Sequence, residues 1–148
     1  MPLPHFTETG GLPLAIHQAT LQETLTRFGS GSRRRRVLAL RLARIYRIAS
    51  DTGHLARFVV FGSFVTARLE PNDVDVFMIM EDTFDMNQLA GASRLLFEHA
   101  AAQAHFGCSV FWVRRLAALG GEQATLEHWQ IKRDGSRRGI VEIIAEES

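Results

Sequence analysis

The stretch at residues 58–80, FVVFGSFVTARLEPNDVDVFMIM, constrains the fold more than any other part of the chain. It holds two runs, at 58–61 and 74–80, whose density of Val, Phe and Ile is that of buried strands. The first run breaks at Gly62-Ser63. The second is entered through Pro71-Asn72-Asp73, where a φ-restricted proline signals a turn. Asp73 and Asp75 therefore stand at the mouth of a strand. Side chains at i and i+2 share a strand face, about 7 Å apart at Cα. Like charges held that close beside apolar residues repel unless a cation lies between them. A hard, oxygen-seeking ion such as Mg²⁺ suits the pair.

Gly62-Ser63, nine residues, then Asp73-Val74-Asp75 resembles the G-S…D-x-D signature of the polymerase-β-like nucleotidyltransferase superfamily. Leu12-Pro13 with Ile16-His17, then GSFVT, PNDVDV and the late RDGSRRGIVEI, look like a small bacterial group of nucleotidyltransferase-fold proteins. The likeness runs from about residue 12 to residue 144. It implies a minimal nucleotidyltransferase fold of α/β (α+β) class, a mixed sheet flanked by helices. It also implies that Gly62 and Ser63 bind the β- and γ-phosphates of a nucleoside triphosphate. Asp73 and Asp75 would then be the catalytic carboxylates and the ligands of Mg²⁺ or Mn²⁺.

At 148 residues the chain fits one domain, and a core of ordinary size can be buried in it. With 46% hydrophobic and 22% charged residues the profile is globular rather than disordered. A formal net charge of +1 gives no bulk attraction to nucleic acid or membrane, so local clusters decide. The lone Cys108 excludes an internal disulfide and a cysteine-based zinc site. No apolar run reaches membrane-spanning length, and the first residues lack the basic start and apolar middle of a signal peptide. A cytoplasmic location without membrane contact is expected.

Taken in order, residues 1–16 read as an irregular lead-in rich in Pro and Gly. Thr20-Leu21-Gln22-Glu23 matches a capping box and predicts a short helix ending near Gly29. A longer helix is predicted from Ser32 to Thr52, with Leu38, Leu42, Ile45 and Ala49 inward and Arg33, Arg36, Arg44 and Arg47 outward. After the central stretch the pattern predicts one helix over 85–105, a strand over 108–113 and a helical piece over 122–129. A tight turn at Asp134-Gly135 and a final strand over 140–144 complete the order α-α-β-β-α-β-α-β.

Each signal also has a plainer reading. Gly62-Ser63 could end a strand as a simple turn, or its amides could form an anion-binding nest. Asp75 between two valines could instead be an ion-pair partner of Arg57 or Arg68, since an unpaired carboxylate there is expensive. The arginine run Arg33-Arg34-Arg35-Arg36 covers most of a helix circumference and reads as solvated charge, or as a contact for protein or RNA. His17 reads as a structural hydrogen-bonding residue, Trp112 and Trp129 as core anchors, and Cys108 as an inert buried thiol.

One departure from the superfamily's pattern bears on function. Its active members carry a third carboxylate on a later strand, whereas residues 108–113 contain no acid. Ser109 holds the equivalent place, and Glu142 on the final strand could stand in. The resemblance implies transfer of a nucleoside monophosphate to a hydroxyl of protein, RNA or a small molecule. The alternative is a catalytically lapsed fold serving as a nucleotide- or protein-binding, antitoxin-like module. Toxin–antitoxin pairs of this superfamily suggest a helical protein partner.

Overall fold

The computed structural model describes residues 3–145. Its elements are β1 (Ile16–Thr20), α1 (Leu21–Phe28), α2 (Arg33–Asp51), β2 (Leu55–Phe61), β3 (Val74–Met80), α3 (Ala92–Leu96), α4 (His99–Phe106), β4 (Cys108–Arg114), α5 (Glu122–His128) and β5 (Ile140–Ile144). The strands form one mixed sheet in the order β1-β5-β2-β3-β4. β2 runs antiparallel to both β3 and β5, while β1 is parallel to β5 and β4 is parallel to β3. Among the described residues no helix is long and apolar enough to cross a membrane.

Local chemistry sets the helix starts. The Thr20 hydroxyl accepts the Glu23 amide at 3.1 Å and the Glu23 carboxylate accepts the Thr20 amide at 3.0 Å, a reciprocal cap that fixes α1. Ser32 caps α2 by accepting the Arg35 amide at 3.1 Å. The inward stripe of α2 is the one the spacing predicts: Leu38, Leu42, Ile45 and Ala49 are each 0% exposed. They pack on Phe58, Val60, Val76, Met78 and Val141 from one face of the sheet. The opposite face carries a smaller cluster of Val59, Phe61, Phe77, Ile79, Leu126 and Ile140, with Trp129 against it. Asp75 alternates with Val74 and Val76 and so belongs to this second, less covered face.

Two expectations are corrected. The lead-in does not last to residue 16, because Ile16–Thr20 pairs in parallel with β5 as the edge strand β1. Its short IHQAT pattern becomes strand only through that partner, 124 residues away in the chain at Gln18 and Glu142. The single helix expected over 85–105 is instead three short pieces. Asp85 caps one 3-10 turn, Met86–Gln88; Gly91 with φ of 61° breaks the path; α3 and α4 follow, with Glu98 at the N-cap of the latter. Apolar residues recur at helical spacing there, but glycine at 91 lets the chain turn between pieces that each bury a few side chains.

Candidate functional site

β2 ends at Phe61, and Gly62 follows with φ of 83° and ψ of −162°, a conformation essentially open to glycine alone. The reason lies across the sheet. A Cβ on Gly62 would stand 2.2 Å from Asp75 Oδ2, so the missing side chain makes the space the carboxylate fills. Asp75 pairs in register with Phe61 on β2 and with Ser109 on β4. The Ser109 hydroxyl donates to Asp73 Oδ2 at 3.0 Å, so the predicted face of β4 does look toward the carboxylate pair. The structure brings Gly62, Ser63, Asp73, Asp75 and Ser109 together.

Burial pushes the Asp75 carboxyl up to about 7, and the charge and hydrogen bond of Asp73 push the same way. Arg138 and the Ser109 hydroxyl oppose the rise. Near neutral pH Asp75 is therefore only partly ionised, and a cation could displace its proton. As donors the site offers two carboxylates and one hydroxyl. That set fits a single Mg²⁺, which keeps several waters and is bound by one or two carboxylates plus substrate phosphates. Among the described residues no group of three or more His, Cys, Asp or Glu is placed to hold a metal ion, so these two carboxylates are the acidic donors the site offers.

Beside the carboxylates opens a cavity of about 590 Å³. Gly62, Ser63 and Thr66 line it, as do four cations, Arg68, Lys132, Arg137 and Arg138. Its far wall is the lead-in, where Thr7, Thr9 and Gly10 face the cavity. Gly139 lets the walls meet, because a Cβ there would lie 2.3 Å from the Pro13 carbonyl oxygen. Arg138 reaches in over the Phe61 ring at 4.8 Å and donates through Nε to the Trp129 carbonyl at 3.1 Å. Sequence reasoning missed this basic wall. The signal available was the run KRDGSRR around a tight turn, which the Gly135 amide closes onto the Lys132 carbonyl at 3.0 Å.

Three expectations about charge are corrected. Neither Arg57 nor Arg68 is the partner of Asp75: the cation facing it is Arg138. Arg57 is taken by Glu142 through a bidentate pair at 2.7 and 2.8 Å, with Gln18 donating to the same carboxylate at 3.4 Å. Glu142, 5% exposed and in register with Val59, therefore does not replace the third acid of the site. Its role is structural, and Glu142→Ala should cost about 2–3 kcal/mol of stability by leaving Arg57 with only the longer contact to Glu122 at 4.0 Å. Because Arg57 is partly solvated, this lies below the loss expected for a fully buried pair. Urea denaturation gives the loss, and calorimetry on the same variant should show triphosphate affinity within twofold of wild type.

The arginine run is the third correction. Arg33, Arg34 and Arg36 are exposed, but Arg35 turns inward and is 6% exposed. Its guanidinium donates to the carbonyls of Phe28 at 3.0 Å, Phe64 at 2.8 Å, Thr66 at 2.6 Å and Arg68 at 3.0 Å, with a second bond to Arg68. Burial lowers its pKa, opposed by the charge of Glu70. The loop that carries Gly62-Ser63 toward Asp73 is thus held from beneath by one side chain of α2.

The remaining singled-out residues are structural, as expected. His17 Nε2 donates to the Pro13 carbonyl at 2.7 Å. Trp112 donates to the Phe97 carbonyl at 2.8 Å, and Trp129 stacks on Phe77 with centroids 4.9 Å apart. Cys108 is buried and its thiol is pushed up to about 12, chiefly by burial, which leaves it inert.

A family model described as a family of unknown function (DUF6932) matches residues 4–144. No curated protein and no solved structure matches the chain.

Proposed function

The chain belongs to this family of unknown function, and we propose that it binds a nucleoside triphosphate with Mg²⁺ or Mn²⁺ and transfers the nucleoside monophosphate to a hydroxyl acceptor. The observation that carries the reading is the juxtaposition of two carboxylates with a four-cation cavity across Gly62. Basic groups that suit a polyanion and carboxylates that suit a cation lie next to each other, as a metal-bound triphosphate requires. Gly62 and Ser63, with Arg68, Lys132, Arg137 and Arg138, hold the β- and γ-phosphates. Asp73 and Asp75 hold the cation, whose charge would offset that developing on the transferring phosphoryl group. Ser109 orients Asp73 through its hydroxyl. The likeness to polymerase-β-like nucleotidyltransferases supports the same assignment, a cytoplasmic location and a helical protein partner. Exposed Arg33, Arg34 and Arg36 on α2 offer that partner, or RNA, a contact, with Arg34 also reaching the Asn72 carbonyl next to Asp73 at 3.4 Å.

A second reading, a lapsed enzyme that binds nucleotide or protein without turnover, is favoured by one observation. β4 presents Ser109 in register with Asp75 where an acid would stand, and Glu142 is committed to Arg57. Absence of a base is worth on the order of 10²–10⁴ in rate. The test is labelled-nucleotide transfer by wild type and Ser109→Asp, assayed side by side with Mg²⁺ affinity. We expect wild type to bind Mg·ATP and lose it with EDTA, and Ser109→Asp to tighten Mg²⁺ binding and raise transfer at least about tenfold. Efficient wild-type transfer that Ser109→Asp leaves unchanged would remove the lapsed reading. Equal nucleotide affinity with and without EDTA would overturn the metal site itself.

A further inference from the structure

We propose that Arg35 is the positioning residue of the phosphate cavity, setting both of its walls through one peptide group. This rests on the reading of that cavity as a triphosphate site.

Arg35 is a cation nine-tenths buried whose side-chain hydrogen bonds all go to carbonyl oxygens and none to a carboxylate among the described residues, with the guanidinium also over the Phe64 ring at 5.7 Å. A guanidinium has five N–H donors in a rigid fork, and here the fork spans the end of α1 and three carbonyls of the loop after Ser63. The Thr66 carbonyl accepts from Arg35 at 2.6 Å, and the amide of the same peptide, at Ala67, donates to the Gly10 carbonyl at 2.7 Å. One peptide plane thereby links the buried cation to the lead-in that forms the far wall. Polarisation along such a chain strengthens both bonds. Thr66 continues the grip toward the nearer wall, because its hydroxyl donates to the Ser63 carbonyl at 2.7 Å and accepts the Arg68 amide at 3.2 Å. Ser63, Thr66 and Arg68 all line the cavity, as do Gly10 and Ala67, and each is bonded to Arg35 or one bond removed from it.

Charge points the same way. A buried cation with no carboxylate in hydrogen-bond reach is costly, and burial lowers the pKa of Arg35 although the charge of Glu70 opposes it. A polyphosphate on the outer side of the same loop would add to the negative charge that Glu70 supplies. The carboxylates are outside this network: Asp73 is bonded by Ser109, and Asp75 is placed by β3 and faced by Arg138. Arg35 should therefore govern affinity for phosphate and leave affinity for the metal alone unchanged. A residue needed only for folding would not separate the two.

The test uses inorganic tripolyphosphate and Mn²⁺ as separate probes on the full chain, with Arg35→Lys as the first variant. An ammonium keeps the charge but cannot reach four carbonyls at once. The expected result is at least tenfold weaker tripolyphosphate binding with Mn²⁺ affinity within twofold of wild type, measured well below the melting temperature. Unchanged tripolyphosphate affinity in Arg35→Lys would overturn the positioning role while leaving the cavity reading intact. Parallel loss of both affinities would overturn it too, since that is a folding defect. Failure of wild type to bind tripolyphosphate at all would instead overturn the cavity reading on which this rests. Should Arg35→Lys not fold, hydrogen exchange of wild type decides: tripolyphosphate must slow exchange at the Ala67 amide, and an unchanged rate would overturn the proposal.

Discussion

Gly62→Ala is expected to abolish metal-dependent nucleotide binding and to destabilise the fold by about 2–4 kcal/mol. Two effects add. The backbone at φ of 83° and ψ of −162° strains any residue with a Cβ, by about 1–3 kcal/mol. The new methyl would also sit 2.2 Å from Asp75 Oδ2, far inside contact distance, so the carboxylate or the strand end must move. Either movement breaks the alignment of Asp75 with Asp73 and the basic cavity. Nucleotide affinity should fall at least about 100-fold, the equivalent of about 2.7 kcal/mol. Gly11→Ala is the control. It lines the same cavity but its Cβ would meet nothing within 4 Å, and its φ is not left-handed. Stability there should stay within about 0.5 kcal/mol of wild type. Normal nucleotide binding by Gly62→Ala would show that the Gly62–Asp75 contact does not shape the site.

That contact also marks how far the sequence could be read. The pairing of Asp73 with Asp75 and the orientation of Ser109 follow from strand alternation, a period of two that needs no knowledge of neighbours. The α1 cap and the inward stripe of α2 are likewise local patterns, and both stand in the structure. Arg35 shows the limit. Steps of 100° dictate that one of four consecutive arginines faces inward, yet nothing local says that it would find carbonyls 29 to 33 residues later. Glu142 was open to a catalytic reading because its partner Arg57 lies 85 residues away. The cavity combines three distant segments, around Thr7, Arg68 and Arg138, none of which is a motif alone. The helix expected over 85–105 failed for a different reason: apolar recurrence is a weak guide where glycine at 91 offers a break.

In metal-free buffer Asp75→Asn is expected to raise stability at pH 8 and to change it little at pH 4. The sign follows from the raised pKa of the Asp75 carboxyl, about 7 in the fold against 3.8 as its ordinary value. The folded state holds the proton more tightly than the unfolded chain, so this contribution is fully present below about 3.8 and is lost as pH rises through about 7. By pH 8 the loss amounts to at most about 4 kcal/mol, reduced by whatever solvation the partly exposed group retains. Asparagine has nearly the same shape and never charges, so the difference between variant and wild type isolates Asp75 from every other titrating group. Thermal melts from pH 4 to pH 8 should show a gap in melting temperature that opens between those two values. If the proposed metal site holds, Mg²⁺ should then close much of the gap at pH 8 by stabilising wild type alone, since it would bind the ionised pair and not the amide. The same substitution should weaken Mg²⁺-dependent triphosphate binding by at least about tenfold, as it removes one of two charged ligands. A variant less stable than wild type at pH 8 would mean that Asp75 is ionised and paired with Arg138 as a structural salt bridge. In that case the two carboxylates are held apart by the fold rather than poised for a cation.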